Sequence, residues 1–521
     1  MNTTELIDAL SKPSAYSFPA ARVDFVQTHI SLVFLVGDTV YKVKKPVALG
    51  FLDFSTLAKR KHFCEEEVRL NQRLAPSVYL GVVPIAYEEG QLRVEGTGEA
   101  VEWAVKMVRL PADATLEHRV DSGQATASEM AAVAQLIARF HGTAVTSAVI
   151  ASFGSFDVVA GNARENFEQA RPEIGLTVHA DVFEHLRRLT EKQLERLHSI
   201  IEARAKRGLP RDTHGDLHLD HVYHFPDRSP PDDWAIIDCI EFNERFRYAD
   251  PVADMAFLVM DLKLHGRPDL AQALADAYFQ HAGDEEGRAL VAFYSAYRSI
   301  VRAKVGGIKL REPEVGKRDR SEVLLRSRAH WLLALSELEE PARQPCLLLI
   351  GGMSGTGKST LARLLAERHG FEIIRSDVAR KSQPLVQRAQ ADLYSLEQTD
   401  RTYAECLRQA RDSLFAGKRV IVDATFRQEK HRMTFVDAAR ELCVFAHWFD
   451  CQADPEVAKL RIATRKNDPS DADWAVYQSQ AATWEPAGEK TQAIHSAIDT
   501  NDSPEAACDQ AESFLRGLEL L

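Results

Sequence analysis

The sequence predicts two units of different class: an amino-terminal α+β part built as two lobes, and a carboxy-terminal α/β part with a parallel sheet. Three observations carry this reading. The first third mixes β-rich runs with one helical stretch, whereas residues from about 126 to 335 have mainly the helical period. A polar stretch with two prolines, Ser336–Pro345, then interrupts the chain. Directly behind it stands Cys346-Leu-Leu-Leu-Ile350, a short apolar run of the kind a buried parallel strand shows. The expected organisation is a β-rich lobe over about 25–125, a helical lobe over about 126–335, a linker at 336–345 and a second unit over 346–521.

Composition agrees with a chain of this kind. The 521 residues carry 64 Lys and Arg against 76 Asp and Glu, a formal charge of −12, with 45% hydrophobic and 27% charged residues. There is ample apolar material for several cores, which excludes disorder over most of the length. The acidity speaks against coating nucleic acid through bulk charge, so nucleic acid is not a favoured partner. No apolar run reaches the roughly 18 residues a membrane helix needs, and the first residues lack the basic-then-apolar pattern of a secretory signal. Seven cysteines with no CxxC pair read as reduced thiols, and the expected compartment is the cytoplasm.

In chain order, Ser31–Val36 and Thr39–Lys44 flank Gly37-Asp38, a hairpin signal. Alternation along Val40-Tyr-Lys-Val-Lys44 puts Lys42 and Lys44 on one face. The helix expected over Lys59–Leu74 sets Phe63, Glu67, Leu70 and Leu74 on one stripe. A carboxylate on an apolar stripe is costly unless paired. Lys42 meets that need, which gives a lysine–glutamate pair of the kind that positions nucleotide α- and β-phosphates; Glu66 faces further round.

Further on, His214-Gly-Asp216-Leu-His-Leu-Asp-His221 is followed, after Val222-Tyr223 and a short loop, by the apolar Ala235-Ile-Ile-Asp238. A site of the protein-kinase-like kind needs an Asp near the acceptor hydroxyl, a metal ligand five residues on, and another Asp after an apolar strand. Asp216, His221 and Asp238 stand at those places. Three histidines and two aspartates in one short loop also fit a metal cluster such as a zinc site, which the loop spacing disfavours without removing it.

In the second unit, Gly352-Met353-Ser354-Gly355-Thr356-Gly357-Lys358-Ser359 fits G-x-x-x-x-G-K-[ST], with Thr360 next. A strand precedes it, and a helix with Leu361, Leu364 and Leu365 on one face follows. In this setting backbone N–H groups and a helix N-terminus cradle phosphates, Lys358 reaches the terminal ones and the Ser359 hydroxyl takes Mg²⁺. Arg419-Val-Ile-Val-Asp423 is an apolar strand ending in a carboxylate at the expected ligand crevice, suited to Mg²⁺. In Glu372-Ile-Ile-Arg-Ser-Asp377-Val-Ala-Arg380, a strand runs into a helix whose first turn sets Asp377 and Arg380 three apart, one able to accept a proton and the other to grip an anion. Arg461 and Arg465, four apart on an expected helix, complete a cationic set.

Residues 346–521 resemble the P-loop kinases of the zeta-toxin and polynucleotide-kinase type through GMSGTGKST, IIRSDVARK, VIVDATF and RIATR. The resemblance implies transfer from ATP to a hydroxyl, with Asp377 as base and Arg380 on the acceptor. Residues of about 25–330 resemble the aminoglycoside-phosphotransferase-like kinases through HGDLH, the IID strand, YKVKK and CEEEVRLNQRL. That implies a bilobal protein-kinase-like fold with ATP and Mg²⁺, in which Asp216 faces the acceptor. Two departures stand out: His221 replaces the family's Asn, and the hairpin has only Gly37 in place of a glycine-rich phosphate lid. The combination resembles bacterial two-domain fusions of these two types. The expected function is ATP-dependent phosphorylation of a hydroxyl on a small or nucleotide-like acceptor. A regulatory pseudokinase half joined to one working kinase, and a polynucleotide 5′-end kinase, are the alternatives. Neither the acceptor nor the oligomeric state is written in these motifs.

Overall fold

A computed structural model of the protein describes residues 3–50, 52–88, 90–312, 316–382, 396–465 and 472–521. They group into two compact units, one of Met1–Gly161 with Arg196–Ser295, the other of Asn162–Glu195 with Ala296–Leu521.

The hairpin around Gly37-Asp38 lies inside a six-stranded antiparallel sheet of the first unit. Its strands are β1 (Asp24–Gln27), β2 (Ser31–Val36), β3 (Thr39–Lys44), β4 (Tyr79–Glu88), β5 (Gln91–Val94) and β6 (Ala100–Val108), in the order β1-β2-β3-β6-β4-β5. Val36 pairs with Thr39 and Val33 with Lys42. Alternation buries Leu32, Phe34 and Val36 in one core, together with Tyr41 and Val43. Helix α1 (Leu57–Asn71) packs against β4 and β6. It starts at Thr56, whose hydroxyl accepts from the Lys59 N–H, and buries Arg60, Cys64, Glu67, Leu70 and Asn71 at helical spacing. The helix ends three residues before the expected Leu74. The Asn71 amide donates to the Glu67 carbonyl and accepts the Cys239 N–H, fixing the exit of the chain.

The helical part of this unit includes α2 (Ala127–Thr143), opened by a Thr126–Glu129 capping box. A two-stranded ribbon follows, β7 (Val222–His224) against β8 (Trp234–Ile236), and then α3 (Pro251–Leu264), which buries eleven consecutive residues from Val252 to Leu262. Asp254 and Asp261 are among them, and they return in the site.

In the second unit a five-stranded parallel sheet consists of β9 (Cys346–Gly351), β10 (Glu372–Arg375), β11 (Val420–Asp423), β12 (Phe445–Gln452) and β13 (His495–Asp499), in the order β10-β11-β9-β12-β13. All six residues of β9 are buried, as its unbroken apolar run predicts. Leu347 and Leu349 face one core with Phe435 and Trp448; Cys346, Leu348 and Ile350 face the other with Leu361 and Leu365. The helix α4 (Lys317–Leu338) runs three residues into the polar stretch that begins at Ser336, and a short 3-10 turn, Pro341–Arg343, follows. Leu332 of α4 joins the core of the parallel sheet. Trp331, Ala334, Leu335 and Leu338 pack instead with Phe167, Phe183 and Ile300, so helical residues on both sides of the first unit's second segment belong with this sheet. All seven cysteines are free thiols.

Candidate functional site

Each unit gathers one constellation. In the first, β3 and α1 bring their charges together at a largely buried place. Lys42 Nζ lies 2.9 Å from Glu67 Oε1 and 2.7 Å from Asp238 Oδ1. The expected Lys42–Glu67 pair is therefore part of a larger cluster: Lys44 Nζ lies 2.7 Å from the second Glu67 oxygen and also contacts Glu241. Glu67 is fully buried, while Glu66 pairs with Arg69 on the surface. Burial alone would lower the Lys42 ammonium, but Asp238 and Glu67 hold it well above the usual lysine range. Burial likewise opposes ionisation of Glu67, and the two lysines outweigh it. Glu241 moves the other way, its carboxyl raised by burial.

The loop from His214 is pinned from beneath by α3. The His214 and Gly215 N–H groups donate to Asp254 at 3.0 and 2.9 Å, and the Leu219 N–H donates to Asp261 at 2.9 Å. His214 Nε2 lies 2.9 Å from the Ile237 carbonyl, and burial pulls this ring down to about 4, so it stays neutral and serves the backbone. Gly215 has φ +88°, and a Cβ there would stand 2.9 Å from the Phe246 carbonyl, so only glycine fits. Asp216 and His221 stand together, with His221 Nδ1 2.9 Å from the Asp216 carbonyl. Asp238 adopts φ +64°, uncommon for a residue with a side chain, and its N–H donates to Tyr79 Oη at 3.2 Å. The turn aims its carboxylate at Lys42 and at His221, whose Nε2 is 3.7 Å from Asp238 Oδ2. Burial would raise this carboxyl; Lys42, then His221, carry it below the usual range.

In the second unit, β9 feeds the glycine-rich loop into α5 (Lys358–His369). Gly352, Gly355 and Gly357 have φ of +128°, +80° and +85°. At Gly355 a Cβ would stand 2.7 Å from the Ala458 carbonyl, so the loop closes only without one. The Met353 carbonyl accepts from Lys358 Nζ at 2.7 Å and from Thr356 Oγ1 at 2.8 Å. Ser354 donates through its N–H and hydroxyl to Gln480, at 2.9 and 3.1 Å, from α10 (Trp474–Ala482) once α6 to α9 are counted: Ser376–Ser382, Leu396–Phe415, Glu429–Glu441 and Pro455–Thr464. The Thr360 N–H turns back to the Gly357 carbonyl at 3.0 Å.

Ser359 Oγ donates to Asp423 Oδ2 at 2.6 Å, which places the two expected metal ligands side by side. The Arg375 guanidinium bridges both, 3.2 Å from Asp423 and 3.1 Å from Ser359, a cation standing against the pair that the donor set suits. Burial pulls Lys358 below the usual lysine range and pushes the Asp423 carboxyl up. Arg380 donates to Asp377 Oδ1 at 2.9 Å, so the first turn of α6 does put both on one face. A cavity of about 520 Å³ is lined by Lys358, Asp377, Arg380, Asp423, Arg461 and Arg465 among others. Arg465 is a correction: α9 ends at Thr464, and Arg465 has left the helix with ψ 131°, yet it reaches the cavity. Arg461 Nη2 donates to the Thr500 carbonyl at 2.7 Å. Its Nη1 is buried with no hydrogen-bond partner among the described residues, and a Cβ at Gly357 would lie 3.8 Å from it.

Sequence reasoning missed Arg375, Gln480 and the Lys44–Glu241 pair. Arg375 carries a signal, since it ends a strand one residue before the Ser376-Asp377 turn. Gln480 carries none, because only folding brings it 126 residues back to Ser354.

With this geometry in place, the comparisons are specific. Residues 44–292 match the phosphotransferase enzyme family, and residues 347–487 match an AAA domain family. The chain is 33% identical over 473 residues to the uncharacterized protein Rv2004c of Mycobacterium tuberculosis (strain ATCC 25618 / H37Rv), covering 88% of this chain and 90% of that one. The chain belongs to that two-module family. The uncharacterized protein Mb2027c of Mycobacterium bovis matches to the same extent. Among solved structures, the GDP complex of aminoglycoside 2′-phosphotransferase-IIIa aligns at 14% identity over 64% of this chain and 99% of its own, with a TM-score of 0.38. A choline/ethanolamine kinase family protein from Mesorhizobium loti aligns at 13% over 65% and 99%, TM-score 0.36. A gluconokinase from Sinorhizobium meliloti 1021 aligns at 17% over 34% and 93%, TM-score 0.26. The protein is a kinase-type phosphotransferase, with a kinase-like α+β fold ahead of a P-loop α/β fold. Among the described residues, no helix is long and apolar enough to cross a membrane.

Proposed function

We propose that the protein phosphorylates a hydroxyl of a small or nucleotide-like acceptor from ATP, with the second unit as the main catalyst and 336–345 as the boundary between the two catalytic modules. The observation that carries this is the buried Nη1 of Arg461 beside Gly357, without a hydrogen-bond partner among the described residues: a cation held at a phosphate cradle asks for an anion. The loop N–H groups of Gly352–Thr360 and the start of α5 bind the phosphates, and Lys358 leaves the Met353 carbonyl for them. Ser359 and Asp423 hold Mg²⁺, which when bound draws charge from the phosphate oxygens. Asp377 takes the proton of the attacking hydroxyl. That oxygen bonds to the γ-phosphorus, the bond from the γ-phosphorus to the bridging oxygen breaks, and ADP leaves with its electron pair. Arg380 orients the acceptor, while Arg461 and Arg465 stabilise the charge on the transferring group.

In the first unit, Lys42, placed by Glu67, binds phosphate, Asp216 faces the acceptor, and Asp238 with His221 holds the divalent cation. A second reading, in which this half binds a ligand without chemistry, has His221 in its favour. The seven free thiols support the cytoplasm as its compartment. The test is a metabolite extract supplied with labelled ATP and full-length protein. Lys358→Ala should remove most labelled product, and Asp216→Ala the remainder. Undiminished product from the double variant would overturn the proposal. Residual turnover unaffected by Asp216→Ala would favour the binding-module reading.

A further inference from the structure

The loop after Asp216 holds more nitrogen than a magnesium site uses. Asp216, His218 and His221 each present a ligand atom, all within 4.8 Å of one another. The second contacts of the two rings decide which nitrogens those are. His221 Nδ1 lies 2.9 Å from the Asp216 carbonyl, which only accepts, so Nδ1 carries the hydrogen and Nε2 the lone pair. His218 stands between two carboxylates, Nδ1 against Asp220 and Nε2 against Asp216; a hydrogen on Nδ1 toward Asp220 frees Nε2 to act as a ligand. Imidazoles oriented from behind by a carbonyl or carboxylate are the usual support of metal-bound histidine.

Both Nε2 atoms then face carboxylates. His218 Nε2 is 3.2 Å from Asp216 Oδ2, and His221 Nε2 is 3.7 Å from Asp238 Oδ2. The two rings stand 4.0 Å apart, centroid to centroid. Lone pairs set against carboxylate oxygens repel unless a proton or a cation lies between them. Two ligands of one four-coordinate ion sit roughly 3.4 Å apart when each bond is about 2.1 Å, so these separations need only small side-chain rotations to close. The side chains of His218 and His221 are 7% and 13% exposed, whereas Asp216 and Asp238 are 30% and 44% exposed, so the imidazoles lie deeper than the carboxylates.

We propose that Asp216, His218, His221 and Asp238 form a site for a nitrogen-preferring first-row divalent cation of the Fe²⁺-to-Zn²⁺ series, in place of a magnesium site built from oxygen alone. Magnesium takes near-octahedral oxygen ligands and keeps its waters, whereas imidazole suits the later ions. The inference rests on the reading that puts a cation beside Asp238, and it adds the identity of the ion and the role of His218. His214 takes no part, because its Nε2 is committed to the Ile237 carbonyl.

The experiment uses the full-length, metal-stripped protein and Co²⁺ as the probe, without nucleotide. One Co²⁺ should bind with a visible ligand-field spectrum, at least tenfold tighter than Mg²⁺. His218→Asn and His221→Asn should each weaken Co²⁺ at least tenfold, with little loss of Mg²⁺ affinity, whereas Asp423→Asn in the other unit should leave the spectrum unchanged. Because a variant may lose affinity by misfolding, Cu²⁺ bound to wild-type protein grown with ¹⁵N-histidine should show nitrogen coupling by pulsed electron paramagnetic resonance. No histidine coupling together with Co²⁺ binding insensitive to both substitutions overturns the proposal and assigns a shared proton to the gap. ATP turnover measured in parallel in a Lys358→Ala background, where the second unit is silent, separates this from the functional reading. Turnover that needs Asp216 but proceeds equally with Mg²⁺ and without histidine ligation defeats only the metal proposal. Histidine-ligated metal with turnover indifferent to Asp216→Ala defeats only the kinase role of this unit.

Discussion

Substituting Glu67 by Gln removes one negative charge from between two buried lysines while keeping the side chain's shape. Glu67 is fully buried, Lys44 is 1% exposed, and the two Glu67 oxygens lie 2.9 and 2.7 Å from Lys42 and Lys44. Breaking a buried pair typically costs about 3–5 kcal/mol. Each lysine keeps one other carboxylate, Asp238 for Lys42 and Glu241 for Lys44, which argues for the lower end, about 3 kcal/mol. The neighbouring Glu66→Gln loses only a surface pair with Arg69, about 0.3–0.5 kcal/mol. With a urea dependence of about 3 kcal/mol per molar, the first-unit transition should fall by about 1 M for Glu67→Gln and about 0.1 M for Glu66→Gln. The assay is urea unfolding of the full chain, following the transition that Glu67→Gln moves and comparing both variants. Nucleotide affinity in a Lys358→Ala background gives the functional readout. Equal midpoints for the two variants would refute the buried-pair argument, and unchanged nucleotide affinity would refute the placement of Lys42 on phosphate.

Three further outcomes are expected. Lys358→Ala should cut turnover by the second unit about 10²–10³-fold while the unfolding curve stays in place, since Lys358 contacts a loop carbonyl and no core; loss of the fold would contradict this. Asp377→Asn should lower transfer about 10²–10⁴-fold and leave ATP affinity within about threefold, measured by isothermal titration, and a parallel collapse of affinity would make Asp377 a structural or metal residue. His447 of β12 is held down to about 4 by burial and then by His495, so its unfolded form binds the proton first. Stability from this residue is therefore complete above about pH 6.5 and is lost as pH falls towards 4, about 3 kcal/mol in all. His447→Gln should flatten the unfolding midpoint over that window, and an unchanged acid slope would count against it.

Local chemistry determined much of this protein. The hairpin at Gly37-Asp38, the strand–loop–helix around Gly352–Ser359 and the burial of Glu67 rather than Glu66 all follow from residues close in the chain. Period, glycine conformation and the cost of an unpaired carboxylate act over a few residues, so the sequence states them directly. Asp377 and Arg380 could be matched for the same reason, because three helical residues fix their distance. What needed the fold is whatever depends on partners far along the chain. Glu241 reaches Lys44 across 197 residues, Gln480 closes on Ser354 across 126, and Asp254 holds the loop at His214 from 40 residues away. Arg465 left its helix one residue before the periodicity would have carried it. The rings of His218 and His221 have the same sequence whichever nitrogen faces the cleft. Only tertiary structure, by setting the Asp216 carbonyl behind one Nδ1 and the Asp220 carboxylate behind the other, decided that both Nε2 atoms face Asp216 and Asp238.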